Sequence, residues 1–215
     1  MLDAEQPEAS VREFAAVCAR YAPLGLVLTA SVAPRWWEAL ARELKRHGAE
    51  LRCLTTKDIP LRVLSENTGV DRLLGAWWAH RASAGPALVA SFGTAFTVDV
   101  VDGAGAFHGG AIGAGLGLQE SALAAAAPHL PAPDPDWQPG FIPDRSARAI
   151  AAGTRHALAL AVNALAAEYS SRLGAPACPR YCTGGDAQRL APLLGPGWRV
   201  EPNLVLRALA DLPRS

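Results

Sequence analysis

The chain has no surplus of either charge: Lys and Arg together number 20, as do Asp and Glu. With no net field to draw it to nucleic acid or an anionic membrane, neither partner class is expected. It also lacks an uninterrupted apolar run of membrane-span length. Its opening residues, MLDAEQPEAS, are acidic where a secretory leader is basic, so a cytoplasmic protein is expected. The four cysteines, Cys18, Cys53, Cys178 and Cys182, lack zinc-type pair spacing and lie among apolar neighbours, which predicts buried, reduced thiols. The five histidines stand singly, so no metal site is assigned to them. Internal repeats and low-complexity tails are absent as well.

What is present is a 215-residue chain that is 50% hydrophobic, enough for one large domain or two compact lobes sharing a cleft. Apolar spacing predicts a helix over Val11 to Tyr21, a strand over Leu24 to Ser31, a helix from Pro34 to His47 stopped by Gly48, and a strand over Ala49 to Leu54. A helix over Gly69 to Ser83, ended by Gly85 and Pro86, leads into strands at Pro86 to Phe92, Thr94 to Val101 and Ala106 to Ile112. Asp102-Gly103-Ala104-Gly105 has the composition of a hairpin turn between the last two strands. An Ala-rich helix over Leu116 to Ala127 is followed by the proline-dense loop HLPAPDPDWQPGFIP. Helix then runs from Asp144 to Leu173 with a bend at Gly153, and a strand over Cys178 to Cys182 precedes TGGD. Two brief helices around a strand at Trp198 to Val200 complete the chain. The alternation predicts an α/β layer architecture.

Four glycine- or charge-bearing stretches carry the chemistry. In Ser91-Phe92-Gly93-Thr94-Ala95-Phe96-Thr97, a glycine and hydroxyls sit at a tight reversal whose N–H groups and Thr94 can bind phosphate oxygens. Taken alone, an ordinary hairpin explains such a stretch more often. Gly109-Gly110-Ala111-Ile112-Gly113-Ala114-Gly115 is read as a strand end opening a helix, which is an anion site or simply close strand-to-helix packing. Thr183-Gly184-Gly185-Asp186 repeats the device after another strand, as a nucleoside platform or a turn capped by Asp186. In Gly69-Val70-Asp71-Arg72, Asp71 offsets a helix dipole, and it can also accept a hydroxyl proton while Arg72 clamps a carboxylate. Two phosphate turns together with that pair point to phosphoryl transfer.

The motifs GVDR (Gly69 to Arg72), FGTAFTVDVVD (Phe92 to Asp102), GGAIGAG (Gly109 to Gly115) and TGGDA (Thr183 to Ala187) resemble, in order and spacing, the type III pantothenate kinases, also called the Bvg accessory factor family. Leu130-Pro131 and Ala149 to Gly153 (AIAAG) resemble further family landmarks, so the likeness covers nearly the whole chain. It implies a two-lobed actin/hexokinase-like (ribonuclease H-like) α/β fold whose first lobe is incomplete at its N-terminus. The lobes are expected at residues 1–84 and 85–215.

The resemblance further implies a homodimer that transfers the γ-phosphoryl group of ATP to the hydroxyl of pantothenate, the first step of coenzyme A synthesis. Mg2+ and a monovalent cation, K+ or NH4+, are the implied cofactors. Asp71 is then the general base, with Gly69, Arg72 and Ser146 on the substrate side and Arg72 clamping the pantothenate carboxylate. Ser91, Gly93, Thr94, Gly109 and Gly110 lie along the phosphates, and Gly184 and Gly185 near the adenosine.

The departures from the family pattern are specific. The family's opening strand with its Asp-x-Gly-Asn-Thr loop has no counterpart in the sequence, and Ser91 stands where the second phosphate motif has Asp, which leaves no metal ligand to assign there. Ala114 replaces proline, Gln119 methionine, Ala127 and Ser146 threonines, and Arg62 lies near the position of an aromatic. These substitutions motivate a second reading, a catalytically impaired homologue that acts as a regulatory or ligand-binding protein.

Overall fold

The structure is a computed structural model that describes residues 26–213 except 31–33, together with residues 16 and 20. The helix expected over residues 11–21 lies almost wholly outside the described residues. A parallel pair, β1 (Leu26–Thr29) and β2 (Glu50–Cys53), brackets α1 (Pro34–Arg46). Lys45 and Arg46 close α1 where cations favour the helix dipole, and Gly48 follows at φ +76°.

After a 3-10 turn at Thr56–Asp58 come β3 (Arg62–Val63), α2 (Val70–Ser83), β4 (Ala87–Phe92), β5 (Ala95–Val101) and β6 (Ala106–Ala114). Then follow α3 (Leu116–Ala126), α4 (Ser146–Ala151), a π-helical turn (Ala152–His156) and α5 (Ala157–Arg172). The chain finishes with β7 (Arg180–Thr183), α6 (Ala187–Leu194), β8 (Trp198–Val200) and α7 (Leu204–Asp211). A π-helical turn stands at the position where a bend at Gly153 is expected, widening the helix between Ala151 and Ala157.

Six strands form one sheet in the order β3-β6-β5-β4-β7-β8. β5 runs antiparallel to both β4 and β6, and the other pairings are parallel. Counted from β4, the main strands follow the order 3-2-1-4-5 with an antiparallel second strand, which is the ribonuclease H-like arrangement. β4 is buried on both faces, as the apolar run ALVASF requires of a central strand.

One face of the sheet packs Val89, Phe107 and Tyr181 against Leu73, Leu74 and Trp77 of α2 and Leu204 of α7. The other packs Leu88, Val98 and Cys182 against Leu158 and Val162 of α5 and Leu190 of α6. The stretch Ser146–Arg172 is long and apolar enough to cross a membrane by length and composition, and here Leu158, Val162 and Ala166 are spent on this core.

The sequence boundary at residues 84 and 85 does not mark a break in packing. β3 pairs with β6, and α2 shares its core with β4 and α7, so residues before and after the expected boundary belong to one layered unit. Two local expectations also change. Ala84, rather than Gly85, takes the left-handed conformation that ends α2, at φ +49°. Cys53 is exposed, because it closes the small β1-β2 sheet, whereas Cys178 and Cys182 are buried as expected.

Candidate active site

The carboxyl ends of the parallel neighbours β4 and β7 carry Ser91 and Thr183, which are register partners. The outward ends of such strands are where α/β sheets open a crevice. Here a cavity of about 530 Å³ lies over them, lined by Gly69, Asp71 and Arg72, by Ser91, Gly93 and Thr94, and by Thr97, Asp99 and Thr183. A second cavity of about 380 Å³ shares Ser91, Thr183 and Val205 with it and continues to Gly184, Gly185 and Asn203. The N-termini of α2, α6 and α7 all contribute residues to this cleft, so three helices border it with the positive ends of their dipoles.

Each wall has a local cause. Gly93 and Thr94 form the tight reversal between β4 and β5, where Phe92 pairs with Phe96. The Gly93 N–H is spent on the Ala95 carbonyl at 3.1 Å, while Thr94 is exposed to the cleft. Beyond β7 the chain reverses at Gly184, whose φ is +100°. Asp71 is exposed in the first turn of α2, whose N-cap Gly69 provides no side-chain cap.

Behind Asp71 lies a buried ion pair. Arg72 Nε donates to Asp99 Oδ1 at 3.0 Å and to Oδ2 at 3.2 Å, and Nη2 donates to Oδ1 as well. The Thr97 hydroxyl donates to Asp99 Oδ2 at 2.9 Å. Asp99 is 2% exposed, and burial pushes its carboxyl up, against the opposing pull of Arg72 and Thr97. The Phe107 ring lies beside the guanidinium, 5.9 Å from Cζ to the ring centroid.

Three expected site residues fall outside the cleft lining. Gly109 and Gly110 lie within β6 rather than at its end, paired with Val100 and Asp99. A Cβ on Gly110 would sit 1.8 Å from the Val98 carbonyl oxygen, so the glycine serves close strand pairing. The strand-to-helix junction falls later, at Ala114 to Leu116. Ser146 is the first residue of α4 and lines a separate, open apolar groove with Leu123, Leu130 and Thr154. Conversely, Thr97 and Thr183, which lie in the glycine-bearing motifs without an assigned role, and Asp99 line the cleft. Their signal was the polar residues at alternate positions of an otherwise apolar strand, Thr97 and Asp99.

The cleft also tests the implied cofactors. Flat glycine backbone at 184 and 185 beside a cavity that continues to the hydroxyls of Ser91, Thr94 and Thr183 fits a nucleotide and its phosphates. Among the described residues no group of three or more His, Cys, Asp or Glu converges, and of the two carboxylates lining the larger cavity Asp99 is engaged by Arg72.

A six-stranded sheet in this order, with a cleft over the carboxyl ends of β4 and β7, defines an α/β protein of the ribonuclease H-like fold. The family model for type III pantothenate kinase matches residues 4–168, and the chain belongs to that family. It is 39% identical over 168 residues to a type III pantothenate kinase of Synechococcus sp. (strain JA-3-3Ab), covering 74% of this chain and 67% of that one. It is 40% identical to that of Laribacter hongkongensis (69% and 61% covered) and 41% identical to that of Alkalilimnicola ehrlichii (82% and 72% covered). The matches thus span about two thirds of these relatives' lengths. A Baf family protein from Campylobacter jejuni, whose crystal structure is known, shares the fold with a TM-score of 0.68 at 17% identity, covering 92% of this chain and 85% of that one.

Proposed function

We propose that the cleft binds ATP and pantothenate and transfers the γ-phosphoryl group to the pantothenate hydroxyl, the entry step of coenzyme A synthesis. The observation that carries this reading is that Asp71 and the Gly93-Thr94 turn face one cavity that continues to Gly184 and Gly185. Adenosine would occupy the glycine end, and the phosphates would pass Ser91 and Thr183 toward Thr94. Asp71 accepts the proton of the substrate hydroxyl as its oxygen attacks the γ-phosphorus. The bond from that phosphorus to the β,γ-bridging oxygen breaks, and ADP leaves with the electron pair. The helix N-termini bordering the cleft offset the phosphate charge. Mg2+ belongs in this reading to the nucleotide, as part of the substrate complex. The family resemblance supports a requirement for K+ or NH4+, a homodimer and a cytoplasmic setting.

The test is ATP-dependent formation of 4′-phosphopantothenate by the chain with Mg2+ and K+ present. Asp71→Asn is expected to lower turnover by about 10²- to 10⁴-fold. The same change alters stability by only ~0.3–1 kcal/mol, the worth of a first-turn acid at a helix N-terminus. Turnover by Asp71→Asn equal to that of the parent would remove Asp71 from the mechanism.

A further inference from the structure

Arg72 is held on one side only. Its Nε and Nη2 are directed at Asp99, and among the described residues Nη1 has no protein partner. The side chain keeps 14% of its surface exposed and lines the cavity beside Asp71, whereas the Asp99 side chain is 3% exposed. A guanidinium offers two forked edges, one through Nε and Nη2 and one through Nη1 and Nη2. Asp99 occupies the first, and the second remains for a carboxylate in the cleft. Thr97 in turn fixes Asp99 through Oδ2, so a chain of three side chains determines where that second edge points.

We infer that Asp99, held by Thr97, is a positioning residue that sets specificity for a substrate bearing a carboxylate, by fixing the free edge of Arg72. This rests on the proposed pantothenate site and adds to it a residue that does not itself touch substrate. A long Arg side chain left unbraced loses rotamer freedom on binding, and the brace removes that cost before substrate arrives. Neutralising the brace also leaves the guanidinium without the partner that orients it.

The discriminating measurement is equilibrium binding of pantothenate against pantothenol, in which the carboxylate is replaced by a hydroxymethyl group. Calorimetry in the presence of ADP reads affinity without requiring turnover. The parent chain is expected to prefer pantothenate by about 10- to 100-fold, the range for hydrogen bonds to a charged group. Asp99→Asn should reduce this preference to within about threefold of unity, mainly by weakening pantothenate binding. Thr97→Val keeps both charges and should reduce the preference by a smaller factor, about two- to fivefold, so it decides the question if Asp99→Asn does not fold. A general packing defect would weaken both ligands equally and leave the ratio intact. An unchanged ratio in the folded variants, with preference present in the parent, overturns the positioning role alone. No preference in the parent overturns the role together with the substrate reading beneath it.

Discussion

Gly184 and Phe92 meet through main chain alone: a Cβ on Gly184 would stand 2.2 Å from the Phe92 carbonyl oxygen. That same oxygen accepts the Asp186 N–H at 3.2 Å, so the ends of β4 and β7 are stitched together at the floor of the cleft. With φ at +100° as well, only glycine fits.

Gly184→Ala is therefore expected to destabilise the fold by at least ~2 kcal/mol, combining a disfavoured backbone region with a main-chain clash. It should also weaken nucleotide binding, because the cleft floor must move. Denaturant unfolding and ADP titration of the same preparation check both effects. Full stability and affinity would mean that the β4-β7 junction tolerates a shift.

The end of α2 offers a change of opposite sign. Ala84 adopts φ +49° and ψ +36°, with its N–H bonded to the Arg81 carbonyl at 3.2 Å. Glycine bears this conformation without the Cβ penalty. Ala84→Gly is expected to stabilise the chain by ~0.5–1 kcal/mol, the left-handed penalty less the extra entropy of an unfolded glycine. A rise in the thermal midpoint checks it.

Asp58 accepts the Thr55 N–H at 2.8 Å and the Thr55 hydroxyl at 2.7 Å on Oδ2, and Arg52 at 3.1 Å on Oδ1. These donors, the Thr55 N–H foremost, hold its pKa down at about 2 against an ordinary 3.8. A depressed carboxylate pKa contributes stability that is present above the unfolded value and lost as pH falls through the folded one. The stability difference between the parent and Asp58→Asn should thus be constant above about pH 5 and shrink between pH 4 and pH 2. Unfolding of both proteins across that range checks the sign.

Cys182 is buried in β7, and desolvation pushes its thiol up to about 11, while burial also raises that of Cys178. The thiolate is the nucleophile, so neither reacts readily in the folded chain. Iodoacetamide at pH 8 should label exposed Cys53 and leave Cys182 unmodified until denaturant is added. Peptide mass spectrometry resolves the positions, and early labelling of Cys182 would show that β7 opens.

Much of the fold was legible because its signals are local. The helix opened by Pro34 and stopped by Gly48, the three strands from Pro86 to Ile112, and the loop after the Ala-rich helix are each specified by residues adjacent in sequence. An irregularity near Gly153 is legible as well, although its π-helical form is not.

The α/β alternation and the short glycine-bearing motifs are written in the chain order alone, because periodicity and turn chemistry act over a few residues. Long-range packing alone brings Arg72 to Asp99, 27 residues away, and sets Ser91 beside Thr183 on the neighbouring strand. Those contacts depend on strand order and on which face of each strand meets which helix. The same reason moved Gly109 and Gly110 out of the cleft: a glycine pair signals close approach, and only the packed sheet says whether the neighbour is a phosphate or the next strand.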